Sequence, residues 1–229
     1  LLLFHHAGGS AAAYHKWHRT LPEWVELVLV ELPGRGRRFQ EAPLTDFDET
    51  VRDLSGQIQL DVRAPYAFAG HSMGALLAFE LAHEVPDVLG LALSAFLPPV
   101  TENVAARAQL SKLGNEELVK RIAKFAPIPP ELARETEFLK MYMEIIRADL
   151  ALIESYRPKS RAPLETPTQI FGGQSDAAVS PDKLEEWRVL TRVEGPVRVF
   201  PGDHFYINQH FPELLTVFLS MIQPLCAER

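Results

Sequence analysis

The 229-residue chain has one cysteine, Cys226, so no disulfide can form within it. That count fits a reducing, cytoplasmic setting. No apolar run approaches the roughly 18–20 residues that a bilayer-spanning helix needs, so a helical membrane protein is not expected. The opening Leu1-Leu2-Leu3-Phe4 is too short for a signal-peptide core, and no basic stretch precedes it. It reads as a chain that starts in mid-strand without Met, so a preceding piece is expected to be missing. Positive charge is also in deficit. Lys and Arg number 23 against 30 Asp and Glu, and the net charge of −7 argues against nonspecific nucleic-acid binding. Internal repeats and low-complexity tracts are absent. The length suits one α/β domain with a large core, and a monomer is the default expectation.

Short apolar runs alternate with helical patterns. Leu1–Phe4, Glu26–Val30, Tyr66–Ala69, Leu89–Ser94, Thr168–Phe171 and Val197–Phe200 read as strands buried on both faces. Helices are expected near 11–21, 48–60, 74–85, 181–190 and 211–222. The alternation implies a mostly parallel sheet covered by helices on both sides. Residues 97–160 break it: they offer no convincing strand, and helices are expected near 103–112, 115–126 and 131–156. In the last of these, Leu139, Tyr142, Ile146, Leu150 and Ile153 form an apolar stripe. Core packing explains such a stripe. So does a helical lid facing an apolar substrate, and the position of the segment between two sheet strands supports a lid. The core is then 1–96 with 161–229.

Gly70-His71-Ser72-Met73-Gly74 lies between an expected strand and an expected helix. A serine on such a sharp turn is forced into an awkward backbone conformation, and the flanking glycines admit neighbouring backbone. This is the nucleophile elbow of α/β-hydrolases. The alternative is a helix start with Ser72 as its cap.

A serine hydroxyl needs a base, and the base needs an orienting acid. In this fold they follow in the order Ser, Asp or Glu, His. His204 follows a Pro-Gly turn at a strand end and is the expected base. Asp176 follows Gly172-Gly173-Gln174-Ser175 and is the expected acid. Asp203 competes, but it neighbours His204, and adjacent side chains on an extended loop point apart. Asp149, in the lid segment, is a weaker competitor. Asp182 belongs to the next helix start, where Pro181 suits the first turn. The oxyanion donors are expected to be the backbone N–H groups of Met73 and Ala7. His5-His6 invites a metal reading, but adjacent strand residues face opposite ways; no metal or cofactor is expected.

The stretches Phe4–Ser10, Leu32–Arg38, Gly70–Gly74, the segment ending in Asp176, and Gly202–Phe205 together resemble the type II thioesterases of polyketide and nonribosomal peptide synthesis. The resemblance spans nearly the whole chain, and Leu32-Pro33-Gly34-Arg35-Gly36-Arg37-Arg38 is its most specific part. It implies an α/β-hydrolase fold with a mobile lid over 97–160, and Ser72, Asp176 and His204 as triad. It also implies hydrolysis of acyl groups from the phosphopantetheine arm of an acyl or peptidyl carrier protein. The strand that usually precedes the position of Leu1 in this family is missing here. Two other functions stay open: an esterase or lipase on small soluble esters, and a catalytically idle module that binds a carrier. For Arg35–Arg38, contact with an acidic carrier helix or the phosphate of its arm and a solvated turn with one arginine in an internal ion pair are equally supported, and Lys112, Lys120, Arg121 and Lys124 carry the same ambiguity.

Overall fold

The computed structural model describes residues 1–100, 109–123 and 136–227, with 136–138 described by backbone alone. Among them, seven strands form one sheet: β1 Leu2–Phe4, β2 Val28–Val30, β3 Tyr66–His71, β4 Val88–Ser94, β5 Leu164–Gly173, β6 Thr191–Val193 and β7 Arg198–Phe200. Their order is β2-β1-β3-β4-β5-β6, with β7 also on β5, and every pairing is parallel. Parallel neighbours need crossover connections. Helix α1 (Phe47–Asp61) bridges β2 to β3, and α2 (Met73–Glu84) bridges β3 to β4. Between β4 and β5 lie α3 (Asn115–Ile122) and α4 (Thr136–Ser155), and α5 (Ile207–Ala227) follows β7.

The two-residue period of the strands divides the core. Leu2, Phe4, Phe68, Leu91, Leu93 and Ile170 face α1 and α2. Leu3, Ala67, Ala69, Ala92 and Phe171 face α5. The small alanines on that side leave room for Phe211 and Phe218 of α5, both buried there. Helix α1 starts at Asp46, whose carboxylate accepts the Glu49 N–H at 2.9 Å. It buries Phe47, Val51, Leu54 and Ile58, one stripe of a 3.6-residue helix.

The expected parallel sheet with helices on both faces is present, with three differences. Ala11–Thr20 and Pro181–Val189 are wound as 3-10 turns rather than α-helix. Neither Ser10 nor Ser180 caps with its side chain, and only Tyr14 in the first and Leu184 and Trp187 in the second are buried. No continuous apolar stripe holds either segment to α geometry. The second difference is β6, which the sequence does not announce. Thr191-Arg192-Val193 is too short and polar for an apolar run; it pairs with the first half of β5, while β7 pairs with the last residues of β5. Third, α5 starts at Ile207 rather than 211 and kinks at His210. Pro212 lacks an N–H and crowds the carbonyl four residues back, which breaks the ladder there.

Residues 97–160 contain no strand among the described residues. Helices α3 and α4 fall where expected, and Leu110–Lys112 is a single 3-10 turn. The expected helix at 103–112 lies mostly outside the described residues, as do the end of the one at 115–126 and the start of the one at 131–156. Leu118, Ile122, Met143 and Ile146 make a small cluster of their own.

Candidate active site

Ser72 stands between the end of β3 and the start of α2 with φ 55° and ψ −123°, a conformation that costs a non-glycine residue energy and persists only when its surroundings enforce it. The surroundings are close-packed backbone. A methyl on Gly70 would come within 2.0 Å of the Gly74 carbonyl oxygen, and one on Gly74 within 2.1 Å of the Phe4 carbonyl oxygen. The Ser72 N–H donates to the Ser94 carbonyl at 2.8 Å, which ties the turn to β4.

The structure brings Ser72, His204 and Asp176 together from the ends of three strands. His204 Nε2 lies 3.0 Å from Ser72 Oγ, and His204 Nδ1 lies 2.7 Å from Asp176 Oδ2. The other carboxylate oxygen of Asp176 accepts the N–H groups of Ala178 (2.8 Å) and Val179 (3.1 Å). With Nδ1 donating to the carboxylate, Nε2 is left as acceptor for the serine hydroxyl. His204 and Asp176 are buried, and Ser72 is half-buried. Exposed Asp203 instead accepts the Phe205 N–H at 2.8 Å, and Asp149 pairs with Arg35.

Met73 is the first residue of α2, so its N–H has no carbonyl four residues back within the helix. Ala7 follows β1 and lines the same cavity as Ser72. The contact of Gly74 with Phe4 and His5 carbonyls brings the first turn of α2 against the end of β1. His5 and His6 diverge: His5 is buried, whereas His6 lies in the cavity wall with its ring edge against Phe205.

A second layer, missed from sequence, backs the imidazole. His71 Nδ1 lies 2.8 Å from Ser94 Oγ, which lies 2.6 Å from the Tyr206 hydroxyl. The His71 ring sits 5.2 Å from that of His204. Burial holds the His71 pKa well below the usual histidine range, and the nearby His204 and His6 push the same way. Burial first, then Arg35, lowers His5 to about 4. No local pattern marks Ser94 or Tyr206; the elbow motif includes His71 but assigns it no role.

A cavity of about 320 Å³ opens at Ser72 and His204. Tyr142, Ile146, Leu150 and Ile153 of α4 make one wall, with Leu110 and Ile122 beside them. Glu154 also borders it, but its carboxylate is engaged by the N–H and hydroxyl of Ser111. The lining is mainly apolar, with polar groups at the mouth, as in a site for an apolar ligand with one reactive end.

The arginine cluster resolves mainly into internal pairs. Buried Arg35 meets Asp149, and Arg38 meets Glu41 and Asp53; Arg37 is exposed. Lys112, Lys120 and Arg121 are exposed, with Arg121 paired to Glu117, and Lys124 lies outside the described residues.

A serine, an imidazole and a carboxylate at the carboxyl ends of parallel strands, behind a strained elbow, place the chain in the α/β-hydrolase class. Residues 1–222 match the model of the thioesterase domain, and the chain belongs to that family. It is an enzyme that hydrolyses thioesters. The gramicidin S biosynthesis protein GrsT of Aneurinibacillus migulanus is 30% identical over 98% of this chain and 89% of its own length. Among solved structures, ClbQ from the colibactin NRPS/PKS pathway is similar at 29% identity and TM-score 0.89, over 100% of this chain and 98% of that one. RedJ, a thioesterase from the prodiginine biosynthetic pathway of Streptomyces coelicolor, aligns with TM-score 0.85 and 29% identity over 94% and 87%. No helix among the described residues is long and apolar enough to cross a membrane.

Proposed function

We propose that Ser72, His204 and Asp176 act as nucleophile, general base and orienting acid in hydrolysing acyl groups from the phosphopantetheine arm of a carrier protein in polyketide or nonribosomal peptide synthesis. The carrying observation is the 3.0 Å contact between His204 Nε2 and Ser72 Oγ at the mouth of an apolar cavity. His204 takes the hydroxyl proton as Ser72 attacks the thioester carbonyl. The oxyanion forms against the N–H groups of Ala7 and Met73, where each donor is worth roughly 3–4 kcal/mol. The thiol leaves with the proton from His204, and the acyl group stays on Ser72 in the cavity. Water deprotonated by His204 then attacks the ester carbonyl, the bond from the acyl carbon to Ser72 Oγ breaks as His204 returns the proton to that oxygen, and the acid departs. Residues 97–160 act as a lid whose α4 face holds the acyl chain. A carrier bearing a thioester-linked chain suits this design, since the chain enters the cavity while the bulky carrier stays outside. Pathway membership of GrsT, ClbQ and RedJ supports the carrier as partner.

The test is turnover of acyl-carrier-protein substrates of graded length, beside acyl-nitrophenyl esters, by wild type and Ser72→Ala. The proposal expects carrier-bound thioesters to be preferred and Ser72→Ala to be inactive on all of them. Full turnover by Ser72→Ala ends the triad assignment, and a strong preference for nitrophenyl esters ends the carrier assignment.

A further inference from the structure

The loop after β1 that carries Ala7 is held from outside the sheet. Gly8 N–H donates to Asp149 Oδ2 at 2.7 Å, and the guanidinium of Arg35 donates to the Gly9 carbonyl at 3.1 Å. The two side chains grip each other in two parallel bonds: Nη1 to Oδ2 and Nη2 to Oδ1, both 2.6 Å. Both are almost fully buried. The pair joins three distant parts of the chain, since Arg35 follows β2, Asp149 lies on α4, and Gly8 follows β1.

The loop is also pressed onto α4. Gly8 has φ +73°, and a methyl on it would meet Ile146 Cγ1 at 2.7 Å and the Tyr142 hydroxyl at 3.3 Å. Ile146 and Tyr142 line the cavity. One helix therefore supplies both the wall of the cavity and the carboxylate that anchors the loop.

We infer that Arg35 and Asp149 are positioning residues for the reaction: they fix the Gly8–Gly9 backbone so that the neighbouring Ala7 N–H is aimed at the developing oxyanion. This rests on the proposed triad and oxyanion roles. Stability alone is a weak reason for such a pair, because apolar side chains of similar volume often match or exceed a buried ion pair. A polar pair gives instead a fixed geometry: a carboxylate that is already oriented by a planar guanidinium has one direction left for a backbone N–H. Oxyanion stabilisation depends on such preorganised donors.

Two variants test the pair. Arg35→Met/Asp149→Leu replaces it by apolar groups. Asp149→Asn keeps the volume and an acceptor for Gly8 but unpairs Arg35, and it supplies the readout if the double variant does not accumulate. Activity is normalised to sites counted by the acylation burst or by fluorophosphonate labelling, and melting is followed alongside. The expected result for the double variant is a kcat lower by about 10- to 100-fold per active site. KM should stay within about twofold, the pH midpoint of the base should not move, and binding of a boronic acid that forms a tetrahedral adduct on Ser72 should weaken in parallel. Asp149→Asn should show the same pattern with a smaller loss. A folded variant with wild-type kcat per site overturns the inference, as does a loss explained wholly by fewer active sites or by lowered melting. Ser72→Ala in the same assays separates the two readings. If it is inactive while the pair variants are unaffected, only the positioning role fails; if it is active, the triad itself fails.

Discussion

Asp176 divides its two oxygens between the His204 ring and the backbone of the turn that carries it. That division predicts the effect of Asp176→Asn. The two N–H groups of Ala178 and Val179 demand an acceptor, so they hold the amide oxygen and turn the NH₂ toward His204. The ring must then accept at Nδ1 and carry its proton on Nε2, where it cannot take the proton of Ser72. Single-turnover acylation should fall on the order of 10³–10⁴-fold with little change in melting. At this scale the sequence is legible where chemistry and local context coincide. Ser72, Asp176 and His204 each follow the end of an apolar run, and that local context marks them. The His71–Ser94–Tyr206 chain and the Arg35–Asp149 pair carry no such mark, because their partners lie 23, 112 and 114 residues apart and no local pattern joins them.

Among the elements, α4 does most to shape the cavity. Its stripe of Tyr142, Ile146, Leu150 and Ile153 was readable from spacing alone, but spacing could not say whether it faced a core or a substrate space. Ile153→Trp should fill part of the 320 Å³. The proposal expects kcat/KM for short acyl thioesters to stay near wild type and that for the longest accepted chains to fall at least tenfold. A graded acyl series measures it. Unfolding free energy should drop by about 1–3 kcal/mol from overpacking. The same limits explain the misread elements. Ala11–Thr20 and Pro181–Val189 have helical composition but too little buried stripe to choose α over 3-10 winding. β6 exists because β5 offers an unpaired edge, a fact that no window around Thr191 contains.

Across the whole molecule, histidines lowered by burial make stability depend on pH: His5 and His71 are the most deeply buried, and His6 and His83 shift the same way. His5 is lowered to about 4, and His71 is held well below its ordinary value, both mainly by burial. Unfolded histidines bind a proton near pH 6.5. Below that pH the unfolded chain gains protons that the folded one does not, so stability falls. For His5 the window runs from about 6.5 down to about 4, where the folded state also protonates. Each such group contributes a slope of up to about 1.4 kcal/mol per pH unit. Urea unfolding at stepped pH should show it, and His5→Gln should flatten the slope between those limits. An unchanged slope in that variant would count against a neutral buried His5.

The way β5 and β7 share a ladder has a consequence for how activity is lost on warming. Gly173 pairs with Phe200, the Gln174 N–H donates to the Phe200 carbonyl, and the Ser175 N–H donates to the Gly202 carbonyl, so the acid and the imidazole travel on one stitched unit. Ser72 sits two ladders away: it follows β3, which pairs with β4, which in turn pairs with β5, and the elbow is fastened to β4 through the Ser94 carbonyl. Thermal loosening in either of those two ladders parts the hydroxyl from the ring and leaves the carboxylate–imidazole bond standing. A heated sample should therefore fall silent while the low-field proton signal of that surviving bond is still visible.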